Sequence, residues 1–227
     1  MKLFKWHKPR FLFAALMIPI VFLIAETTVL QLYIGFILMS LGELVRFWAD
    51  GYVGHVKVNR NKIGLLITAG PYAYTRNPLY LGSFLIGLGV MVIVGRWLIA
   101  LPLSVAMVWI YYKKSLEEDE VILAEWKDMF QHYCQKIPRF FPTLRPYPNP
   151  QGQWSWKGIS ASKEWKTVVW VPIFFLALYF RREIIQEHVF FTPETWIKHT
   201  ILLGVIAILI ATDGILEFRK RQKYLQS

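Results

Sequence analysis

Long apolar runs alternate with short charged ones along this chain. Six apolar segments stand out, at about 11–25, 29–48, 79–95, 97–112, 167–180 and 199–216. A straight helix needs about 20 apolar residues to cross a bilayer core. Several of these segments are shorter, but flanking Tyr, Trp, Lys and Arg extend such segments at the membrane boundary. The pattern predicts an all-α, polytopic membrane helix bundle of about six transmembrane helices. Segments 79–95 and 97–112 are separated only by the Gly95-Arg96-Trp97 break, which predicts a tight helical hairpin. The first segment has the basic start and apolar core of a signal peptide. No small-residue cleavage pattern follows it, so it is read as a span that stays attached.

The polar stretches between these segments have patterns of their own. In SLEEDEVILAEWKDMFQHYCQKI, the residues Leu116, Ile122, Leu123, Trp126, Met129, Phe130 and Tyr133 recur at helical spacing. That predicts an amphipathic cytoplasmic helix lying against the membrane. The next stretch, IPRFFPTLRPYPNP, carries five prolines in fourteen residues and must be an extended loop. The Trp-rich QGQWSWKG then suits an interfacial position. Residues 1–147 thus form a core of four spans with the cytoplasmic segments, and 148–227 an extension with two further spans.

Composition agrees with the membrane reading. The chain is 55% hydrophobic, with ten Trp and eleven Tyr, against about 45–50% apolar in soluble domains. The formal charge is +11, and its distribution carries the information. Twenty-one Lys and Arg fall in the tails and loops on one side of the six-span map; Arg96, Arg181, Arg182 and Lys198 fall on the other. Positive charge favours the cytoplasm, so both termini are expected there, with the protein integral to a membrane and in contact with its lipid. The cations form no single basic face, which excludes nucleic acid as a partner. The single cysteine, Cys134, excludes an internal disulfide, and His132 beside it does not complete a metal site.

The richest stretch is GPYAYTRNPLYLG, Gly70 to Gly82. Gly70-Pro71-Tyr72 is turn chemistry. Asn77-Pro78 is a helix start, with Asn at the cap and Pro at the first helical position. A helix N-terminus is a ready anion site, and Arg76 adds a full charge just before it. Gly82, Gly87 and Gly89 leave room for another helix or a ligand. After the fourth segment comes the acidic run Glu117-Glu118-Asp119-Glu120. The hairpin brings that run beside Arg76. Anion and cation sites side by side suit a zwitterion such as an amino-acid moiety, and acids also suit a sulfonium. The plainer alternative is that these residues only start, pack and solvate helices.

Both stretches resemble the signatures of the isoprenylcysteine carboxyl methyltransferase and phospholipid methyltransferase family. The first is similar to GPYxxxRHPxYxG. The second, LEEDEVILAEWKDMFQHYCQKIPRFFP, is similar to a Glu-Glu pair, a helix with spaced tyrosines, then Val-Pro-Arg. The likeness covers about Leu41 to Pro142, with an Arg-x-Trp-Ala-like piece at Arg46–Ala49. It implies an integral-membrane enzyme that moves a methyl group from S-adenosylmethionine to an amphiphilic or lipidated acceptor, such as a prenylated one. It also implies that Arg76, Asn77, Pro78, Tyr80, Gly82, Glu117 and Glu118 bind the cofactor, with Arg46 and Arg139 toward the substrate. Glu118 is the best match for the acid that holds the cofactor's amino group, within a register that leaves Glu117 and Asp119 open. No residue is assigned a catalytic role. Asn77 replaces the family's usual His and cannot act as an acid or base at neutral pH. Trp126-Lys127 stands where the family has Phe-Gly.

Two other readings compete. Membrane sterol reductases share a similar Arg-His-Pro-x-Tyr element and use a nicotinamide cofactor. A transport or assembly protein would need ion-lined spans. Glu43 and Arg46 are the strong intramembrane charges, readable as an internal ion pair or as contacts to a bound head group.

Overall fold

The computed structural model describes residues 22–53, 65–161, 165–189 and 192–225. The N-terminal basic tail, most of the first apolar segment, and Lys57, Arg60 and Lys62 lie outside them. The regular elements among the described residues are all helical, with no strand. Helix α1 is Val29–Val53, α2 Pro78–Val94, α3 Trp97–Lys136, α4 Trp156–Ala161, α5 Trp165–Arg181 and α6 Trp196–Leu225. A short 3-10 turn, Gly70–Ala73, precedes α2, and a π turn, Arg182–Gln186, follows α5.

α1 starts at a capping box. The Gln31 N–H donates to Thr28 Oγ1 at 3.3 Å, and the Thr28 N–H to Gln31 Oε1 at 2.8 Å. α1 and α2 pack most extensively of all the helix pairs. Glycines allow it: a Cβ on Gly42 would run into the Gly82 carbonyl, and one on Gly35 into the Gly89 carbonyl. Around this seam Leu32, Met39, Ile93 and Val94 form a buried cluster, which Leu178 of α5 joins.

The expected hairpin is present. α2 ends on Gly95, whose φ of 72° closes the helix in the left-handed conformation. α3 begins two residues later. The amphipathic helix is not a separate element. It continues the fourth apolar segment as the second half of α3, a helix of 40 residues. One residue breaks its geometry: Lys127, with φ 34° and ψ −115°. That conformation suits glycine, and this is the position where the resembled family has Phe-Gly.

Two of these helices are long and apolar enough to cross a membrane, α1 and Trp196–Phe218 of α6. α6 has none of its apolar window buried, and in α1 22% is buried. Ile197, Ile201, Val205 and Ile208 of α6 face outward. Water would penalise so much exposed aliphatic surface, and lipid would not. α2 is apolar but only 17 residues long. The segment 97–112 is the first part of α3, and 167–180 lies in the 17-residue α5.

The polar groups gather at the two ends of α2, about 25 Å apart at 1.5 Å per residue. At one end lie Arg76, the acidic run and the proline-rich loop. At the other, Thr27 Oγ1 donates to the Ile93 carbonyl at 2.7 Å, and Arg182 donates to the Thr27 carbonyl at 3.1 Å. Glu183, 8% exposed, is enclosed there by Tyr179, Lys198 and His199 at 2.9, 2.7 and 3.0 Å. Burial alone would raise its pKa. The bonds from Lys198, His199 and Tyr179 outweigh that and hold it down at about 2.

Candidate functional site

The segment before α2 is laced to the returning proline-rich loop by backbone hydrogen bonds. The Arg76 N–H donates to the Pro138 carbonyl at 3.0 Å, Thr143 to Tyr74 at 2.9 Å, Tyr147 to Ala73 at 2.9 Å, and Thr68 to Gln151 at 2.9 Å. Prolines suit this loop, since they keep it extended without needing donors of their own. Beneath it Leu66, Ala73, Phe130, Tyr133, Ile137 and Tyr147 form a second buried cluster. The helical periodicity in the second half of α3 therefore serves partly to dock this loop. Tyr133 donates to the Tyr72 carbonyl at 2.6 Å. Burial, then the neighbouring Tyr133, Asp50 and Glu118, push the Tyr72 phenol well above its ordinary pKa, and burial raises Tyr133 likewise.

The lacing delivers two arginines to one carboxylate. Arg76 Nη1 lies 2.8 Å from Asp119 Oδ2, and Arg139 Nη2 lies 2.9 Å from the same oxygen. The side chains of Arg76, Asp119 and Arg139 are 12%, 17% and 21% exposed. Arg139 also donates to the buried Ser115 hydroxyl at 2.8 Å, one helical turn before Asp119. Its guanidinium sits 5.6 Å over the Tyr112 ring. Arg76 Nη1 further meets Cys134 Sγ at 2.9 Å. Burial raises the Cys134 thiol more than Arg76 lowers it, so it stays neutral at pH 7.

Tyr80 lies along α3 over two turns. Its ring stacks on Tyr111 at 5.2 Å, and its hydroxyl donates to Glu118 Oε1 at 2.8 Å. Asn77 occupies the expected cap position with Pro78 following, but its side chain does not cap α2. It donates instead to the Arg139 carbonyl at 3.1 Å, and Thr75 Oγ1 donates to that carbonyl and to Phe140's. Asn77 therefore ties the two signature stretches together.

The structure brings Arg76, Asn77, Tyr80, Glu118 and Arg139 into one cluster. Glu117 faces the other way, paired with Lys114 at 2.8 Å on the exposed side. Pro78 is fully buried at the helix start. Gly82 is buried under the Arg46 stem at the α1–α2 seam, and Gly87 faces Met107. Arg46 reaches across to α2, donating to the Leu79 carbonyl at 3.2 Å and to the Ser83 hydroxyl. Asp119, which the register had left open, belongs to the cluster, as do Ser115 and Tyr111, which the motifs do not single out. Their i, i+4 and i, i+8 spacing on α3 is the signal that points to one face.

Two buried donors here lack a partner among the described residues: Arg76 Nε and Trp126 Nε1. An Arg N–H left this way asks for an acceptor, as a ligand carboxylate would supply. Close by, Glu118 offers a carboxylate and the Tyr80–Tyr111 pair offers aromatic faces. The donor set thus fits a ligand bearing both a carboxylate and a cation.

Most of the cluster falls in a stretch that is similar to a known family. Residues 30–124 match the phospholipid methyltransferase family. The resemblance read from the two signatures is thereby borne out. The chain is 30% identical over 138 residues to the protein-S-isoprenylcysteine O-methyltransferase of Schizosaccharomyces pombe, covering 58% of this chain and 56% of that protein. It is 26% identical over 117 residues to the human protein of the same name, covering 49% and 41%. It is 29% identical over 127 residues to the cobalt-zinc-cadmium resistance protein CzcN of Cupriavidus metallidurans, covering 56% and 55%. The chain thus spans about half the length of the curated relatives it matches. No solved structure matches it.

Proposed function

We propose that this protein is an integral-membrane methyltransferase that moves a methyl group from S-adenosylmethionine to a lipidated or amphiphilic acceptor at the cytoplasmic face. The observation that carries the reading is the Arg76–Asp119–Arg139 bridge with Tyr80–Glu118 beside it, assembled from the two stretches that resemble the family. In this reading Arg76 Nε donates to the cofactor's carboxylate, and Glu118 accepts from its ammonium. The Tyr80–Tyr111 pair offers ring faces to the sulfonium. Asp119 holds both arginines in place. When bound, S-adenosylmethionine supplies a methyl group on an already activated leaving group. The chain's task is then alignment and exclusion of water.

A carboxylate acceptor is favoured. It is nucleophilic without a general base, and Asn77 cannot serve as one. The isoprenylcysteine named by two of the relatives presents such a carboxylate. In the same reading the chain crosses the membrane six times with both termini cytoplasmic. Its core is 1–147, and 148–227 adds two spans. The 21-to-4 cation asymmetry supports that topology.

The test uses purified protein with methyl-labelled S-adenosylmethionine and two acceptors, farnesylcysteine and phosphatidylethanolamine. Base-labile label in the farnesylcysteine supports the proposal. Label only in the phospholipid would keep the class and overturn the carboxylate acceptor. No transfer to either would count against the reading.

A further inference from the structure

At the end of the molecule away from Arg76, a cavity of about 690 Å³ opens between Leu23–Glu26, the α2–α3 turn and the end of α5. Its walls are apolar at Leu23, Ile24, Trp97 and Leu98, and three charged side chains line it: Glu26, Arg96 and Arg181. Arg181 is 7% exposed. It donates through Nε to the Phe22 carbonyl and through Nη2 to the Leu23 carbonyl at 2.9 Å. Its Nη1 is buried and has no hydrogen-bond partner among the described residues. A charged donor left so is costly, and an anionic acceptor would relieve the cost. Glu26 does not supply it, being engaged by Arg96, which also donates through Nε to the Ile24 carbonyl at 3.3 Å. Two guanidinium groups against one carboxylate leave this wall with a net positive charge.

We propose that this cavity holds the phosphodiester of an anionic phospholipid from the leaflet opposite the Arg76 cluster. Arg181 Nη1 and Arg96 are its donors, and the glycerol and upper acyl chain lie on Trp97 and Leu98. The size suits such a head group, since small-molecule sites run to about 300–1,000 Å³. A zwitterionic head group fits less well, because its ammonium would have to compete with Arg96 for Glu26. The position is also right. α2 spans about 25 Å between the two polar ends, close to the roughly 30 Å of a hydrocarbon core. The proposal rests on membrane embedding and is independent of methyl transfer.

The experiment melts delipidated protein in detergent with mixed micelles of phosphatidylglycerol or of phosphatidylcholine with the same chains, and with inorganic phosphate. Native mass spectrometry counts the retained lipid. Phosphatidylglycerol should raise the melting temperature by several degrees more than phosphatidylcholine. At least half of that difference should vanish in Arg96→Gln and in Arg181→Lys, which keeps the charge but lacks Nη1. Lys136→Gln, an exposed cation at the opposite end, should retain it. Equal shifts from both lipids, full retention in both arginine variants, or the same shift from phosphate alone would each overturn the lipid site. In any of those cases the arginines serve only to cap the carbonyls of residues 22–24.

Discussion

Asp119 accepts from two arginines through one oxygen while mostly shielded from water, so its loss leaves two guanidinium groups without their counter-charge. Asp119→Asn should destabilise the fold by about 2–3 kcal/mol, measured by denaturant unfolding in detergent. Glu117→Gln and Glu120→Gln, on exposed positions, should each cost at most about 0.5 kcal/mol. Comparable losses for all three would mean that the bridge adds nothing. On cofactor affinity the order differs: Glu118→Gln should weaken S-adenosylmethionine binding by at least tenfold, and Glu120→Gln should leave it unchanged. From the sequence the register of these acids could not be resolved. Adjacent helical residues point about 100° apart, and only the partners across the hairpin decide which acid faces inward. Asn77 shows the opposite limit: its place at the helix start was legible, but its side chain answers to a carbonyl 62 residues away. Lys127 carries a further test. Its backbone adopts a conformation suited to glycine, so Lys127→Gly should raise stability by about 1 kcal/mol. An unchanged or lower unfolding midpoint would show that the kink is not strained.

Among the elements, the α2–α3 hairpin was legible because Gly95-Arg96 interrupts two apolar runs with the residue a left-handed cap requires. The unbroken length of α3 was not. Hydropathy changes near Tyr112, but that change marks where the surroundings alter, not where the helix stops. The Lys, Leu and Glu that follow are strong helix formers, so the helix carries on. The enclosure of Glu183 by residues of α5 and α6 was also hidden, since it depends on a turn between two segments that read only as apolar. Its folded pKa of about 2 lies below the ordinary 4.5. The stability it contributes is therefore complete above pH 4.5 and is lost as pH falls through 2. The melting temperature should decline over that window, and Glu183→Gln should remove part of the decline. Parallel curves for the two proteins would mean that the Tyr179, Lys198 and His199 contacts do not hold α5 to α6.

For the molecule as a whole, the grouping of polar residues at the two ends of α2 agrees with the cation asymmetry read along the chain. Arg96, Arg181 and Arg182 gather at one end, and Arg76 and Arg139 at the other. A reporter fused after Ser227 should report cytoplasm. A signal from the opposite side would remove one of the last two crossings from the proposed topology. The acceptor was not legible, because no motif in the sequence names one head group. The candidate site was, because it is built from two contiguous stretches. Calorimetric titration of the purified protein with S-adenosylmethionine, S-adenosylhomocysteine and NADPH tests that central claim most directly. The account predicts micromolar-range binding of the first two and no heat from NADPH. Heat from NADPH alone would contradict it and favour a nicotinamide-dependent reductase.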